Sequence, residues 1–534
     1  MTTRTRRTTR SILALVVAFL IAAGSGSAFD AQAAYAATYV PISGTGSTWS
    51  QNALDQWRKN VAANYGMTVN YSGTGSSAGR RDYIAGQVDF AISEIPFQTS
   101  PEDGSAPEKP TTAFAYMPIV AGGTSFMYNL NIGGKRVTTL QLSGDSITKI
   151  FTGVITTWKD PQIAAENPGL ALPDKLITPV VRSDGSGSTA QFTLWMSKQH
   201  PALWNAFCAA NGRPSPCGLT SQYPTFGNAK AQSGSSGVAG YVSQDYGEGA
   251  ITYVEYSYAL RSGFPVAKVL NASGYYVEPT ANAVAVALLK AAINTNTGSA
   301  DYLTQILDGV YNNADPRTYP LSSYSYMIVP TEVGGIFTAR KGATLSTFAT
   351  YMLCEGQQQA TALGYSPLPM NLVMAGFTQI ARIPGSSGTA PDINSCNNPT
   401  FKPGDSPSSN ALATNAAQPA ACDKQGATQC ATGTGGLTTP TATAGAANTA
   451  GGTATNPDGS VTGVDGSGDS LGSSTGNGGS LGTAVAAPFT LRQDSWGSSQ
   501  TLMLFAGILL VAAAVLPPLL WRRFSRPFGR GGNK

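Results

Sequence analysis

Three short segments bring together the residue types that grip a small anion. Residues 43–48 read SGTGST, residues 72–77 read SGTGSS and residues 183–190 read SDGSGSTA. Each follows a strand-like run (39–42, 67–71 and 177–181) and precedes a helix-like one (48–63, 77–85 and 188–198). The first turn of a helix leaves its N–H groups unpaired, and the helix dipole makes that end partly positive. Glycine lets the backbone approach a ligand closely, and Ser/Thr hydroxyls add donors, so such a turn is suited to an anion. One turn of this kind is explained by simple N-capping. Three in one α/β chain point to a shared oxyanion site.

Other chemistries fit less well. A nucleotide P-loop needs Gly-Lys-Ser/Thr, and no lysine follows any of these glycines. Gly73 to Ala78 loosely fits G-x-G-x-x-A, but two such loops in one lobe of an exported chain argue against a dinucleotide domain. The single histidine, His200, excludes His-rich zinc sites and speaks against a Ser-His-Asp hydrolase. Followed by Pro201, it reads as a solvated helix-end residue.

The elements that must position these turns sit inside a chain of 534 residues with only 12% charge, about half the usual ~25%. The net charge of +4 is an effect of the ends. Of 33 basic residues, four lie in 1–37 and five in 522–534; that leaves 24 in the body against 28 of the 29 acidic residues. A mildly acidic body without a basic stripe argues against nucleic-acid binding. Residues 1–37 carry an Arg/Thr-rich start, an apolar run over 11–23 and Ala34-Tyr35-Ala36. That is the order of a cleavable signal peptide. Residues 501–521 form an uncharged apolar run, long enough for a membrane-spanning helix. The basic tail 522–534 behind it places the C-terminus in the cytoplasm by the positive-inside rule. Residues 431–488 are Gly, Thr, Ala, Ser and Asn with almost no charge, a composition that cannot bury a core.

The expected organisation is therefore a signal peptide (1–37), a folded body (38–385), a flexible linker (386–499), a transmembrane helix (500–521) and a cytoplasmic tail (522–534). The stretch 386–430 is polar but carries cysteines that could pin it. Six cysteines suit an oxidising compartment and allow 15 pairings. Cys208 and Cys217 bracket a polar loop and are expected to pair, Cys422 and Cys430 are a similar local candidate, and Cys354 and Cys396 remain.

At this point the sequence resembles a family. Gly44-Thr45-Gly46-Ser47-Thr48-Trp49, the run Asn70 to Gly79, Val88-Asp89-Phe90-Ala91-Ile92-Ser93-Glu94 and Val181-Arg182-Ser183-Asp184-Gly185-Ser186-Gly187-Ser188 are similar to the motifs of the PstS phosphate-binding proteins of bacterial phosphate ABC transporters. Gly249 to Tyr256 and Gly364 to Pro369 agree as well, and the likeness covers about 40–382.

The resemblance implies an α/β fold of the two-lobed type II periplasmic-binding-protein kind. One lobe would hold about 40–120 and 320–385, the other about 121–319, with hinges near 119–127 and 321–329. It also implies the site. Thr48, Trp49 and Ser76 would donate from the first lobe; Arg182, Ser186, Gly187 and Ser188 from the second. Asp184 would orient Arg182. Glu94 stands where the family usually has an aspartate that accepts the proton of phosphate. The residues alone leave other readings open: Glu94 paired with Arg80 or Arg81, Arg182–Asp184 as an ordinary strand-end ion pair, and Trp49 as a core residue.

The implied function is capture of inorganic phosphate for an ABC permease in the same membrane, by a monomer that is not an enzyme and uses no metal or cofactor. The alternative is an anchored surface protein that keeps the fold as a sensor or adhesin, or binds another oxyanion.

Overall fold

The computed structural model describes residues 39–435, apart from 297, 300 and 303. Its frame is an eight-stranded sheet. In chain order the elements that build the site are β1 (Ile42–Gly46), α1 (Gln51–Tyr65), β2 (Val69–Ser72), α2 (Ser76–Ile84), β3 (Phe90–Ser93), β4 (Phe114–Tyr128), β5 (Thr178–Arg182), α3 (Gly187–Gln199), β6 (Lys230–Gln232), α4 (Gly234–Ser243), β7 (Ala250–Glu255), α5 (Ala281–Leu288), β8 (Ser322–Pro330), α6 (Ala339–Leu353) and α7 (Met370–Ile380). The strand order is β2-β1-β3-β8-β4-β7-β5-β6.

Two long strands run through the middle of the sheet. β4 pairs antiparallel with β8 from Phe114 to Gly123 and with β7 from Thr124 to Tyr128. β8 in turn pairs antiparallel with β3 over Tyr326–Ile328. The pairs β1–β2, β1–β3, β7–β5 and β5–β6 are parallel. β4 and β8 are buried along nearly their whole length, as a near-continuous apolar run covered on both faces requires. In α1 the buried residues Leu54, Trp57 and Val61 recur at helical spacing and face this sheet's core. The Trp57 indole N–H donates to the Gly356 carbonyl at 2.8 Å.

The expected linker from 386 is corrected: residues 386–435 pack against the body as a strap. Cys396 is bonded to Cys354 at the end of α6, and the Asn398 amide donates to the carbonyls of Leu353 and Leu368 (3.1 and 3.2 Å). Further on, Ala413 packs on Ala285 and Val286 of α5, and Asp423 forms a half-closed ion pair with Lys268 at 2.7 Å. Cys422 is bonded to Cys430, and the Gln429 amide donates to the Thr139 carbonyl at 2.6 Å. Disulfides and buried backbone bonds fix this segment where apolar composition could not. Cys208–Cys217 completes three disulfides, and among the described residues no cysteine is free. No described helix is long and apolar enough to cross a membrane. Residues 1–38 and 436–534, with the expected signal peptide, the rest of the linker, the transmembrane helix and the tail, lie outside the described residues.

Candidate functional site

The three Gly/Ser turns meet. Each sits at the end of a strand, β1, β2 or β5, and the parallel pairing of β1 with β2 brings the first two to one edge. The third arrives from the far half of the same sheet: the Ser77 N–H donates to the Gly185 carbonyl at 3.0 Å, and the Gly187 N–H to Ser76 Oγ at 3.1 Å. Glycine is required for this approach. Gly75 caps α2 at φ 94°, and a Cβ on Gly187 would lie 1.9 Å from Glu94 Oε2.

Arg182 ends β5 and is 3% exposed. Its Nε and Nη2 donate to the two carboxylate oxygens of Asp184. Nη2 also donates to Thr48 Oγ1 at 3.1 Å, and Nη1 to Ser235 Oγ at 3.3 Å. Asp184 accepts a further bond from the Gly234 N–H at 2.9 Å. Burial pushes the Asp184 carboxyl up, but the Arg182 hydrogen bonds and charge and the Gly234 amide outweigh it and hold it below the usual range. The fork is thus fixed by Asp184 while its Nη2 also reaches Thr48, beyond the end of β1.

Glu94 follows β3 and is 1% exposed. It pairs with neither Arg80 nor Arg81: Arg80 bonds Glu108 at 2.7 Å. The Glu94 carboxylate instead accepts hydroxyl bonds from Ser47 on Oε1, from Ser325 on Oε1 at 2.7 Å and from Ser76 on Oε2 at 2.7 Å. Its own carbonyl accepts the Gln191 amide of α3 at 2.7 Å.

Four of the expected donors are bonded within the protein: Ser76 and Gly187 as above, and Ser186 and Trp49. Ser186 was expected to offer donors to the anion. Its N–H is bonded to the Ser221 carbonyl at 3.0 Å, and its hydroxyl caps α3 by accepting from the Thr189 N–H at 3.2 Å. The Trp49 N–H, expected to face the anion, donates to Ser47 Oγ at 2.9 Å. The Trp49 ring packs edge-on to Tyr365 with centroids 5.7 Å apart, so it is the core residue the alternative reading described. Thr48, Ser76, Glu94, Arg182, Gly187 and Asp184 are brought together. The Ser188 hydroxyl, next to Gly187 on α3, is buried without a hydrogen-bond partner. His200 ends α3 as expected, but it is half-buried with its ring 5.0 Å from Trp195.

Three residues were missed. Ser47 lies inside the first motif. Ser235, whose N–H donates to Thr48 Oγ1 at 3.0 Å, starts α4 after Ser233-Gly234, a fourth Gly/Ser turn that carried the same signal. Ser325 lies in a strand and gave no local sign.

Behind Trp49, Glu255 ends β7 fully buried. Oε2 accepts the Ser257 N–H at 2.7 Å, and Oε1 has no partner. Burial pushes this carboxyl well above the ordinary range. A raised folded pKa means that the folded state binds the extra proton, so stability falls as pH rises from the unfolded value toward the raised one. Glu255→Gln should therefore raise the thermal midpoint at pH 8 more than at pH 5; equal shifts at both pH values would count against this reading.

The fold is α/β, one eight-stranded sheet with a buried arginine, a buried carboxylate and a ring of hydroxyls at its strand ends. A PBP superfamily domain matches residues 31–355. The phosphate-binding protein PstS of Xylella fastidiosa is 32% identical over 335 residues, covering 62% of this chain and 83% of that protein. PstS of Methanocaldococcus jannaschii is 31% identical over 353 residues, covering 64% and 85%. A solved phosphate-binding protein from Stenotrophomonas maltophilia aligns with a TM-score of 0.48 at 19% identity, over 66% of this chain and 99% of that one. The chain belongs to the PBP superfamily and, within it, to the PstS family.

Proposed function

We propose that this protein captures inorganic phosphate outside the cytoplasm and hands it to an ABC permease, binding and releasing the anion without reacting with it. The observation that carries the reading is the convergence of Arg182, Thr48, Ser76 and Ser188 with Glu94 at the line where the lobes meet, in a chain of the PstS family. The partners that follow are phosphate and a permease; the body itself acts as a monomer. The three disulfides support an exported location, with the body held outside the membrane by the C-terminal apolar segment.

Selectivity follows from Glu94. Phosphate at neutral pH carries a proton and sulfate carries none. A buried carboxylate accepts a hydrogen bond from the first and only repels the second, and sites built on such a bond reject the wrong partner strongly. Calorimetric titration with phosphate and with sulfate tests this. Micromolar or tighter binding of phosphate alone is expected, and absence of heat with phosphate refutes it.

Closure should depend on Gly187. An added Cβ would meet Glu94 Oε2 at 1.9 Å, so Gly187→Ala keeps the lobes from meeting as they do here. Phosphate affinity is expected to drop about ten- to a hundredfold, the scale of an overpacked contact, while the unfolding midpoint stays near that of the parent. Titration and thermal unfolding read the two separately.

A further inference from the structure

Ser325 stands where β8 shifts register against β4, between Ser325 and Tyr326. A shift of this kind re-aims side chains, and here it turns a serine hydroxyl onto Glu94 Oε1 at 2.7 Å in full burial. Ser47 holds the same oxygen from the other side. Next to it on β8, Tyr324 exchanges bonds with the Gln305 amide (2.9 and 3.0 Å), and that amide also reaches the Glu94 carbonyl at 3.3 Å. Glu94 is thus gripped at its carboxylate by β8 and at its carbonyl by Gln305, itself bonded to β8. A glutamate carries several free torsions, and a carboxylate free to turn would swing away from an anion that repels it. With Oε1 held by Ser47 and Ser325, the Oε2 edge is the one turned toward Ser76 and Gly187.

We propose that Ser325 is a specificity-positioning residue: by pinning Oε1 it keeps the carboxylate edge of Glu94 set against any oxyanion that lacks a proton. This rests on the phosphate reading above.

The test is equilibrium binding of phosphate, and its displacement by sulfate, to the purified protein as wild type, Ser325→Ala and Ser325→Thr, with thermal unfolding in parallel. In Ser325→Ala the ratio of sulfate to phosphate Kd should fall about tenfold or more, the scale of one lost bond to a charged group. Ser325→Thr, which keeps the hydroxyl, should hold the ratio. A ratio unchanged in Ser325→Ala, whatever happens to either affinity or to the midpoint, overturns the proposal. Failure of the wild type to bind phosphate overturns the reading beneath it instead.

A separate observation carries a second inference. The strap lies beyond the family match, which ends at 355. It is bonded to the first lobe at Cys354 and Leu368, and to the second at Lys268, Thr139 and Asn167. A segment fixed at both ends limits how far the lobes can rotate about β4 and β8. We infer that the strap is an inter-lobe brace that slows opening. Asp423→Ala combined with Gln429→Ala and Thr434→Ala removes the side-chain bonds of its far end to Lys268, Thr139, Asn167 and Val266 and leaves the three disulfides in place. Small-angle scattering of the phosphate-free protein should then show a larger radius of gyration than wild type, and phosphate should dissociate several times faster. Wild-type values for both would overturn the inference, and the scattering arm reads it without any ligand.

Discussion

Arg182→Ala is expected to weaken phosphate binding by about 2–5 kcal/mol, some thirtyfold to a few thousandfold in Kd, the range for truncating one partner of a buried hydrogen-bonded charge pair. The reason lies in what stays behind. Asp184 loses the guanidinium that holds both its oxygens, and its carboxylate then faces the incoming anion with only the Gly234 amide beside it. Thr48 and Ser235 both lose the guanidinium donors that reach them. Arg182→Lys keeps a charge but cannot bond both oxygens of Asp184 and also reach Thr48, so it should fall between. Asp184→Asn separates the two effects: it spares the charge and frees the fork. Titration calorimetry at fixed salt reads all three. An alanine variant that binds within a factor of two of wild type would remove Arg182 from the site.

The second large effect is on stability. Cys354–Cys396 joins residues 42 apart in sequence, and a loop of that size is expected to contribute about 4 kcal/mol by restricting the unfolded chain. The bond also anchors the strap where the Asn398 amide and the Thr400 hydroxyl reach buried carbonyls. The Cys354→Ser, Cys396→Ser double variant should melt about 5 °C lower, given the entropy of unfolding of a chain this size. Cys208–Cys217, with a separation of 9, closes a much shorter loop and should matter less. Differential scanning calorimetry under non-reducing conditions compares them; a smaller loss for the longer loop would contradict the ranking.

The turns were legible because their chemistry is local. Gly, Ser and Thr repeated between a strand and a helix say the same thing wherever they occur, and Arg182, Asp184 and Glu94 came with the motifs around them. The phase of the first turn was not legible. The sequence suggested a helix from 48, yet Gly44 and Gly46 belong to β1, where the Phe90 ring and the Ile92 carbonyl leave no room for a Cβ, and α1 starts only at Gln51. That delay is what turns Ser47 onto Glu94 and the Trp49 N–H onto Ser47. Ser186 looked like a donor because a capping serine and a ligand-binding serine are the same residue type in the same place. Only the Thr189 amide it bonds tells them apart. Ser325 could not be read at all, since its meaning comes from a register shift between two strands some 200 residues apart in the chain. The strap was hidden for another reason. Its residues are polar and aperiodic, and nothing in them announces that carbonyls of Leu353, Leu368 and Thr139 are waiting for their amides.

One crystal structure, of the protein grown with phosphate, tests the central claim most directly. A single anion should lie between the β1, β2 and β5 turns, within hydrogen-bond reach of Thr48, Ser76, Ser188 and Arg182, with a carboxylate oxygen of Glu94 at contact distance. Phosphate bound elsewhere, or lobes held apart with Glu94 open to solvent, would contradict it.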